Sequence, residues 1–208
     1  MRSGINLATL TEYEEVMGIN KLNDVLQSFS CPINQEVENY IREKAYRSTK
    51  LSSSVTYLAI DSASGEIVGY FTLMMKAYSV KSDLLNSTNR RLVKRCAELD
   101  ANGNFTAAVY LIAQLGKNFA LPKNRQVSGA ELLSMALGLF RGTKKVLGGK
   151  LVMVEREADC PKLLEFYTKN GFKSWTRRIN EKDGKKKVEF DQMFAVLNDE
   201  PPTGGPGS

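Results

Sequence analysis

The chain has 208 residues, of which 42% are hydrophobic and 25% charged, and its formal net charge is +6 at pH 7. This length is enough for one substantial hydrophobic core and short for two. The sequence contains no histidine, which excludes triads and general bases built on imidazole and nearly every catalytic zinc site.

Cysteine usage bears on location and on metal binding. Cys31, Cys96 and Cys160 are widely spaced, and no two of them form a CxxC pair. This pattern favours neither a disulfide framework nor a metal site, so we predict a reducing, cytoplasmic location and no metal. The sequence lacks a run of about 18 apolar residues and an apolar leader, so we expect neither a membrane span nor a signal peptide.

The first half of the chain predicts helices followed by a hairpin. Apolar residues at helical spacing predict two amphipathic helices, over residues 11–29 and 34–50. Segments rich in β-branched and aromatic residues, 55–60 and 67–78, predict two strands joined by a turn at 61–65. The next segment, about 81–99, is polar and basic, and we predict that it is an inserted helix.

The second half alternates strands and helices. The apolar run 105–115 predicts a central strand that is covered on both faces. A helix is predicted to begin at Gly129 and to end before a glycine pair, and it is followed by a buried strand over 151–154. Pro161 is predicted to begin a short helix that ends at residue 169.

The C-terminal part predicts two strands and a tail. Segments 172–179 and 188–197 form an antiparallel pair in this prediction, joined by a lysine-rich turn around residues 183–184. Residues 200–208, rich in proline and glycine, predict a disordered tail. The order of elements predicts an α/β (α+β) fold with a mixed central sheet and helices on both faces, in a single domain over 1–199.

Three segments carry a resemblance to a known family. Residues 163–172, LLEFYTKNGF, are similar to the FYxxxGF signature that closes GNAT N-acetyltransferases. The strand end IAQLG at 112–116 and the helix start SGAELL at 128–133 lie where that family keeps its acetyl-CoA site. Segments within residues 29–73 resemble the GNAT branch that includes toxins of toxin–antitoxin pairs.

The resemblance implies acetyl-CoA as cofactor and direct transfer of its acetyl group to an amine, with Tyr167 as the catalytic general acid. It also implies backbone contacts to the cofactor from one strand end and one loop: Leu115, Gly116, Lys117, Gln126, Val127, Ser128, Gly129 and Ala130. Val127 replaces a glycine of the family's phosphate loop. Cys160 stands where the family often keeps an asparagine that contacts the cofactor, so Cys160 is a further candidate cofactor-binding residue.

The expected reaction needs a proton donor at sulfur. An ordinary tyrosine has a pKa near 10 and a thiol near 8.5, so Tyr167 stays protonated at neutral pH and can donate to the departing sulfur. The alternative is that Phe166 and Tyr167 form a core aromatic pair. Glu155 and Glu157, at the end of a predicted strand, are candidate bases, and the alternative for both is an exposed carboxylate at a strand end.

The leading acceptor is the amino group of an aminoacyl-tRNA, since toxins of the resembling branch acetylate that group. Two groups of basic residues predict a tRNA-binding surface, and a solvated face is the alternative for each: Arg90, Arg91, Lys94 and Arg95, and Lys173, Arg177, Arg178, Lys182, Lys185, Lys186 and Lys187. A small amine or a protein lysine is the alternative acceptor, and a catalytically inactive GNAT-like binding module is the alternative function. An antitoxin protein and a second copy of the chain are the further partners considered.

Overall fold

A computed structural model of the chain describes residues 4–182 and 186–198, with the backbone alone for residues 180–182, 186 and 187. The predicted turn around residues 183–184 and the predicted tail over 200–208 therefore lie outside the described residues. So do the side chains of Lys182, Lys185, Lys186 and Lys187, which belong to the second predicted basic group.

Seven strands form one mixed sheet in the order β1-β2-β3-β4-β5-β7-β6. The strands are β1 Ile5–Thr9, β2 Val55–Asp61, β3 Ile67–Lys81, β4 Asn104–Lys117, β5 Leu151–Glu157, β6 Lys173–Lys182 and β7 Lys186–Val196. The helices are α1 Leu10–Met17, α2 Ile19–Ser28, α3 Gln35–Asn39, α4 Ala45–Lys50, α5 Ser87–Val93, α6 Gly129–Leu147 and α7 Pro161–Lys169. The predicted α/β class with a mixed sheet is confirmed.

The N-terminal segment differs from the prediction in two respects. Residues 5–9 form an edge strand that pairs antiparallel with β2, and the sequence did not predict it. The single helix predicted over 11–29 is two helices, because Gly18 adopts a φ of 79° that ends α1. Thr9 begins α1 with a capping box to Glu12.

The inserted segment over 81–99 contains less helix than predicted. A 3-10 turn covers Ser82–Leu84, and α5 spans only Ser87–Val93. The Asn86 side chain caps α5 by accepting a hydrogen bond from the N–H of Asn89. Arg90 closes the segment on itself, since its guanidinium donates to the carbonyls of Ser82 and Leu85.

The chain divides into two compact units. The first contains Met1–Met75 and Ile112–Ala136, and the second contains Lys76–Leu111 and Leu137–Ser208. The prediction of one domain over 1–199 stays a prediction.

The first unit packs α1 to α4 on β1 and β2 around a common core. Its buried side chains include Leu22, Leu26, Phe29, Ile41, Leu58 and Tyr70. The predicted helix over 34–50 is present but contains a π-helical turn at Tyr40–Lys44 between α3 and α4. Phe29 and Tyr70 meet edge to face with their ring centres 5.2 Å apart.

The second unit is built on the antiparallel β5, β7 and β6. Trp175 stacks on Phe194 at a centroid distance of 4.3 Å, and Tyr110 stacks on Phe140 at 4.7 Å. The pairing of β6 with β7 shifts between Ser174 and Thr176, so Trp175 lies at a β-bulge.

Candidate functional site

The end of β4, in the first unit, is closely packed around Gly116. A Cβ atom at Gly116 would lie 2.4 Å from Cγ1 of Val37 and 3.1 Å from the ring of Tyr70. The Tyr70 hydroxyl in turn donates to the carbonyl of Val37 at 2.6 Å. Glycine is therefore needed at position 116 for packing alone, whatever the backbone there binds.

The neighbours of Gly116 at the strand end are only partly covered. Leu115 and Lys117 are both half-buried. The ammonium group of Lys117 lies 4.5 Å from the centre of the Phe119 ring, in a cation–π contact. The predicted cofactor contacts of residues 115–117 are made by backbone groups. The contact between Lys117 and Phe119 involves only side chains.

Asn118 fixes the chain immediately after β4, a role that the sequence analysis missed. Its side-chain amide donates to the carbonyl of Ile67 at 2.9 Å, and its backbone N–H donates to Val68 at 2.9 Å. The side-chain oxygen accepts from the backbone of Ser30 and of Ala120, both at 3.1 Å. An asparagine placed directly after a long strand was the available signal.

The loop before α6 carries the predicted phosphate contacts. Val127 is 1% exposed, so its side chain is buried in the core. The replacement of the family's glycine by valine therefore adds no exposed bulky side chain to the loop. The Gln126 side chain donates to the carbonyl of Leu121 at 2.8 Å and braces the loop.

The N-terminus of α6 is a capping box. The N–H of Ser128 donates to the Glu131 carboxylate at 2.9 Å, and the N–H of Glu131 donates to the Ser128 hydroxyl at 3.2 Å. The first N–H groups of a helix have no intrahelical acceptor. The N–H groups of Gly129 and Ala130 therefore remain available, at the positive end of a 19-residue helix, for a phosphate oxygen.

Tyr167 lies in α7, in the second unit, among aromatic side chains. The centre of its ring lies 5.0 Å from that of Phe166 and 5.5 Å from that of Phe172. The residue is 8% exposed, and burial raises the pKa of Tyr167 to about 12. The phenol consequently stays protonated across the physiological range.

Tyr167 thus belongs to a core aromatic group and also keeps its proton. The Phe166–Tyr167 ring contact was the alternative to a catalytic role, and the structure contains that contact. Within the described residues, no hydrogen bond holds the Tyr167 hydroxyl. The hydroxyl oxygen is not among the fully enclosed polar atoms that lack a partner, so it keeps some accessible surface and can donate to a bound group.

Cys160 precedes α7 and is half-buried. It occupies the N-cap position, yet its side chain makes no capping hydrogen bond. Its carbonyl accepts from the guanidinium of Arg156 at 3.1 Å and from the N–H groups of Leu163 and Leu164. The backbone of Cys160 thus orients the start of the helix that carries Tyr167.

Neither candidate base, Glu155 or Glu157, is an unpaired carboxylate in an apolar site. Both oxygens of Glu155 are bound, one by Gln192 at 2.7 Å and the other by Arg178 at 2.9 Å. Burial acts to raise the pKa of Glu155, but these hydrogen bonds and the Arg178 charge outweigh it and lower the pKa. Glu157 is exposed, which matches the alternative of a carboxylate at a strand end.

The predicted basic groups differ in how many of their cations are already paired. Arg177 binds Asp191 and Glu189, Arg178 binds Glu155, and Arg90 binds backbone carbonyls. The remaining described members are exposed cations: Arg91, Lys94, Arg95 and Lys173. About half of the described basic residues therefore serve the fold, and the exposed ones are the candidates for phosphate contacts.

Across residues 4–182 and 186–198, no group of three or more acidic or cysteine side chains is placed to hold a metal ion. None of the described helices is long and apolar enough to span a bilayer.

Comparison of the structure with solved proteins finds the same fold in toxins. A bacterial toxin matches with a TM-score of 0.60 at 17% identity, over 93% of this chain and 90% of its own. AtaT, complexed with acetyl-methionyl-tRNAfMet, matches with a TM-score of 0.60 at 16% identity, over 90% and 93%.

A third structure adds bound molecules. A Tyr-to-Phe mutant of AtaT, bound to the C-terminus of the antitoxin AtaR and to acetyl-CoA, matches with a TM-score of 0.52 at 17% identity, over 90% of this chain and 92% of its own. No protein-family model and no curated protein matches the sequence. The structural likeness shows that this chain has the GNAT fold, as its signature segments predicted.

Proposed function

We propose that this protein is an acetyl-CoA-dependent N-acetyltransferase that transfers the acetyl group directly to an amine. The leading acceptor is the amino group of an aminoacyl-tRNA. The observation that carries the proposal is the Tyr167 phenol, which is buried, protonated and without a hydrogen-bond partner in the described structure. The GNAT fold and the AtaT complex with acetyl-methionyl-tRNAfMet support the choice of chemistry and acceptor.

The residues of the first unit fit acetyl-CoA. The N–H groups of Gly129 and Ala130 are suited to the pyrophosphate, and the backbone of residues 115–117 is suited to the pantetheine chain. Acetyl-CoA supplies an activated thioester. The Glu131 carboxylate lies at the same helix N-terminus, and its negative charge opposes the binding of the pyrophosphate there.

Tyr167 of the second unit supplies the proton in this proposal. Its hydroxyl donates to the sulfur that leaves, and its high pKa keeps it from ionising before that step. Cys160 and Pro161 set the start of α7 and thereby the direction of the helix. They act as positioning residues.

No general base is required for the proposed acceptor. An α-amino group has a pKa near 8, so about a tenth of it is neutral at pH 7, whereas a lysine side chain with a pKa near 10.4 is almost wholly charged. Both oxygens of Glu155 are already bound. Since Glu155 is bound and Glu157 is exposed, neither candidate base is a free buried carboxylate, and this favours an α-amino acceptor over a protein lysine or a polyamine.

The exposed cations Arg91, Lys94, Arg95 and Lys173 are proposed as tRNA phosphate contacts. An antitoxin is proposed as a partner by analogy with the AtaT structure that contains the AtaR C-terminus. A second copy of the chain and a cytoplasmic location stay predictions.

Transfer of radiolabelled acetyl groups tests the proposal. The protein is incubated with labelled acetyl-CoA and separate pools of charged tRNA, uncharged tRNA, spermidine and a lysine-rich protein. We expect label in charged tRNA alone, released by mild base as an N-acetyl amino acid. Label confined to spermidine or protein would reject the tRNA acceptor, and a folded protein that binds no acetyl-CoA would favour the inactive binding module.

A further inference from the structure

A row of three charged side chains crosses the sheet in the second unit. Arg156 of β5 lies directly opposite Asp191 of β7, and Asp191 lies opposite Arg177 of β6. The Arg156 guanidinium pairs with one oxygen of Asp191, and Nε of Arg177 donates to the other at 2.9 Å. The side chains of Arg156 and Asp191 are 2% and 6% exposed. They form a buried ion pair, and Asp191 is held from both sides.

The same guanidinium also holds the connection between β5 and α7. Its second terminal nitrogen donates to the carbonyls of Glu157, Ala158 and Cys160 at 2.8, 3.2 and 3.1 Å. This nitrogen carries two hydrogens, so at least one of them is shared between two carbonyls. The Nε–H of Arg156 has no acceptor among the described residues. The two terminal nitrogens therefore set the orientation of the group, and one of them gathers the backbone of the connection around itself.

The carbonyl of Cys160 is the point at which this connection becomes a helix. Cys160 directly precedes α7, and its carbonyl accepts from the N–H groups of Leu163 and Leu164 at 3.2 and 3.3 Å. The Cys160 side chain makes no capping hydrogen bond. The bond from Arg156 thus reaches the first turn of α7 from outside the helix and fixes the point from which the helix starts.

Side-chain packing contributes little to the hold on α7. Of the nine residues of this helix, all of them within the described chain, Tyr167 alone is buried. The other apolar side chains of the helix are half-buried or exposed. Leu164 lines a cavity of about 540 Å³, to which Arg156 and Ala158 also contribute. A helix beside an unfilled space gains few dispersion contacts there, so the hydrogen bonds of Arg156 carry more of the hold on its first turn.

The length of α7 makes the position of Tyr167 sensitive to the first turn. Tyr167 lies seven residues after Cys160, which is about 10 Å along a helix that rises about 1.5 Å per residue. A tilt of about 6° at the start of the helix moves a group at that distance by about 1 Å. A displacement of about 1 Å at a reacting group can lower the rate about 10²-fold.

We propose that Arg156, held by Asp191, is a positioning residue for acetyl transfer. By fixing the connection between β5 and α7, it sets the direction of α7 and with it the place of the Tyr167 hydroxyl. Arg156 has no part in the proton transfer itself. The inference rests on the proposed function, in which Tyr167 donates the proton to sulfur.

Arg156→Lys keeps the charge that Asp191 requires and removes the forked geometry. One ammonium nitrogen cannot occupy both ends of the fork, so the ion pair stays and the hold on the three carbonyls is lost. With charged tRNA as acceptor, we expect kcat to fall about 10- to 100-fold, because Tyr167 is displaced. The Kd for acetyl-CoA should stay within about twofold, since the proposed cofactor contacts lie in the first unit. A kcat within about threefold of the parent would reject the inference.

Arg42→Lys is the matched control in the first unit. Arg42 also donates to a backbone carbonyl, that of Phe29, at 2.7 and 3.1 Å, and it pairs with Glu38 at 2.7 Å. The substitution therefore removes the same kind of fork beside a carboxylate. We expect kcat to stay within about threefold of the parent. An equal loss in both variants would show general loosening and reject a specific role of Arg156.

Combination with Tyr167→Phe shows whether Arg156 acts through the phenol. Once the hydroxyl is gone, a positioning residue has nothing left to position. Arg156→Lys should therefore change kcat by less than about twofold in the Tyr167→Phe background, and full additivity of the two losses would reject the inference. Full turnover by Tyr167→Phe would overturn the proposed proton donor and this inference together. A loss in Tyr167→Phe without a loss in Arg156→Lys would overturn this inference alone.

An apolar replacement of the ion pair separates positioning from stability. Removal of one partner leaves a buried charge and destabilises, whereas replacement of both partners by apolar residues is often neutral or stabilising. The double variant Arg156→Met with Asp191→Leu should therefore unfold at the urea concentration of the parent or above it. Its kcat should still fall about 10- to 100-fold. A stable double variant with the kcat of the parent would reject the inference.

Amide hydrogen exchange gives a readout that does not require activity. In Arg156→Lys, peptides that cover Pro161–Lys169 should exchange at least about fivefold faster than in the parent, while peptides of α2 in the first unit keep the parental rate. Unchanged exchange in α7, or equal acceleration in α2, would reject the hold that Arg156 exerts. This result stands even if the protein acetylates no acceptor, in which case the proposed function fails separately.

Discussion

Gln192 of β7 lies directly opposite Glu155 of β5 and donates a hydrogen bond of 2.7 Å to its carboxylate. Arg178 binds the other oxygen at 2.9 Å. A carboxylate that accepts from both sides is held in its charged form and is a poor proton acceptor. We therefore predict that Glu155 stabilises the sheet and is not a catalytic base.

Replacing Glu155 by glutamine tests that assignment. We expect kcat/KM for an α-amino acceptor to stay within about threefold of the parent, because general-base catalysis typically contributes 10²- to 10⁴-fold and none is lost here. The measurement is a pH series from 6 to 9, with circular dichroism to confirm folding. A loss of two orders of magnitude that recovers at high pH would instead identify Glu155 as the base.

Tyr167→Phe removes the proposed proton donor and little else. We expect kcat to fall by about 10²- to 10⁴-fold, because the leaving sulfur loses its acid. The Kd for acetyl-CoA, measured by calorimetry, should not change, since the proposed cofactor contacts are backbone groups of the first unit. Tyr57→Phe, at a half-buried tyrosine that stacks on Phe71, is the control and should keep full activity. Full turnover by Tyr167→Phe would remove Tyr167 from the mechanism.

The raised pKa of Tyr167 also predicts how stability changes with pH. Its folded pKa is about 12, above the value near 10 of an unfolded tyrosine. The group's contribution to stability is thus complete below pH 10 and is lost as the pH rises from 10 to 12. At pH 11, the parent should have lost on the order of 1 kcal/mol through this group, and Tyr167→Phe should lose that much less.

Urea unfolding at pH 9 and at pH 11 measures that difference. Comparing the parent with Tyr167→Phe cancels the titration of the other tyrosines and lysines, which both proteins share. Equal losses in the two proteins would show that the Tyr167 phenol is not desolvated.

Glu131→Gln tests the proposed phosphate contacts at α6. Glutamine retains an acceptor for the N–H of Ser128 but removes a negative charge from the helix N-terminus. We expect CoA to bind about three- to tenfold more tightly, because a like charge beside the pyrophosphate is removed. Calorimetry with CoA gives the Kd. Glu165→Gln, at an exposed carboxylate in α7, is the control and should leave it unchanged.

Weaker or unchanged CoA binding by Glu131→Gln would count against phosphate binding at Gly129 and Ala130. The variant should lose only about 0.3–1 kcal/mol of stability, the usual effect of an acidic side chain at a helix N-terminus. Retained folding thus keeps the binding result interpretable.

Gly116→Ala is expected to be destabilising for steric reasons. The added Cβ would lie 2.4 Å from Val37 and 3.1 Å from Tyr70, and forcing an extra carbon into such packing typically costs about 1–3 kcal/mol. Gly138→Ala in α6 is the control, because its added Cβ has no neighbour within 4 Å. That change should be stabilising by about 0.5–1 kcal/mol. Urea unfolding of both variants gives the two values, and equal effects would contradict the packing argument.

Much of the fold could be predicted from periodicity and turn residues. The helix at Pro161–Lys169 has the predicted bounds, and β2, β3, β4 and β5 lie where apolar runs placed them. These predictions succeed because helix caps and strand alternation are local properties of the chain. Strand β1 was missed because its five residues acquire their pairing partner from β2, about 50 residues away.

The site residues show the same difference between local sequence features and contacts made by distant residues. The sequence alone indicated Tyr167, through the signature around it, and the helix start at Gly129. It did not indicate that both oxygens of Glu155 are bound, that Asn118 ties β4 to β3, or that the indole N–H of Trp175 and the Nε–H of Arg156 are buried without an acceptor among the described residues. Whether a polar group is free or paired depends on residues distant in the chain, and folding alone brings them into contact. Composition and spacing thus determined the helices, the strands and the candidate reactive side chains. Tertiary contacts decided which of those side chains are paired and which are not.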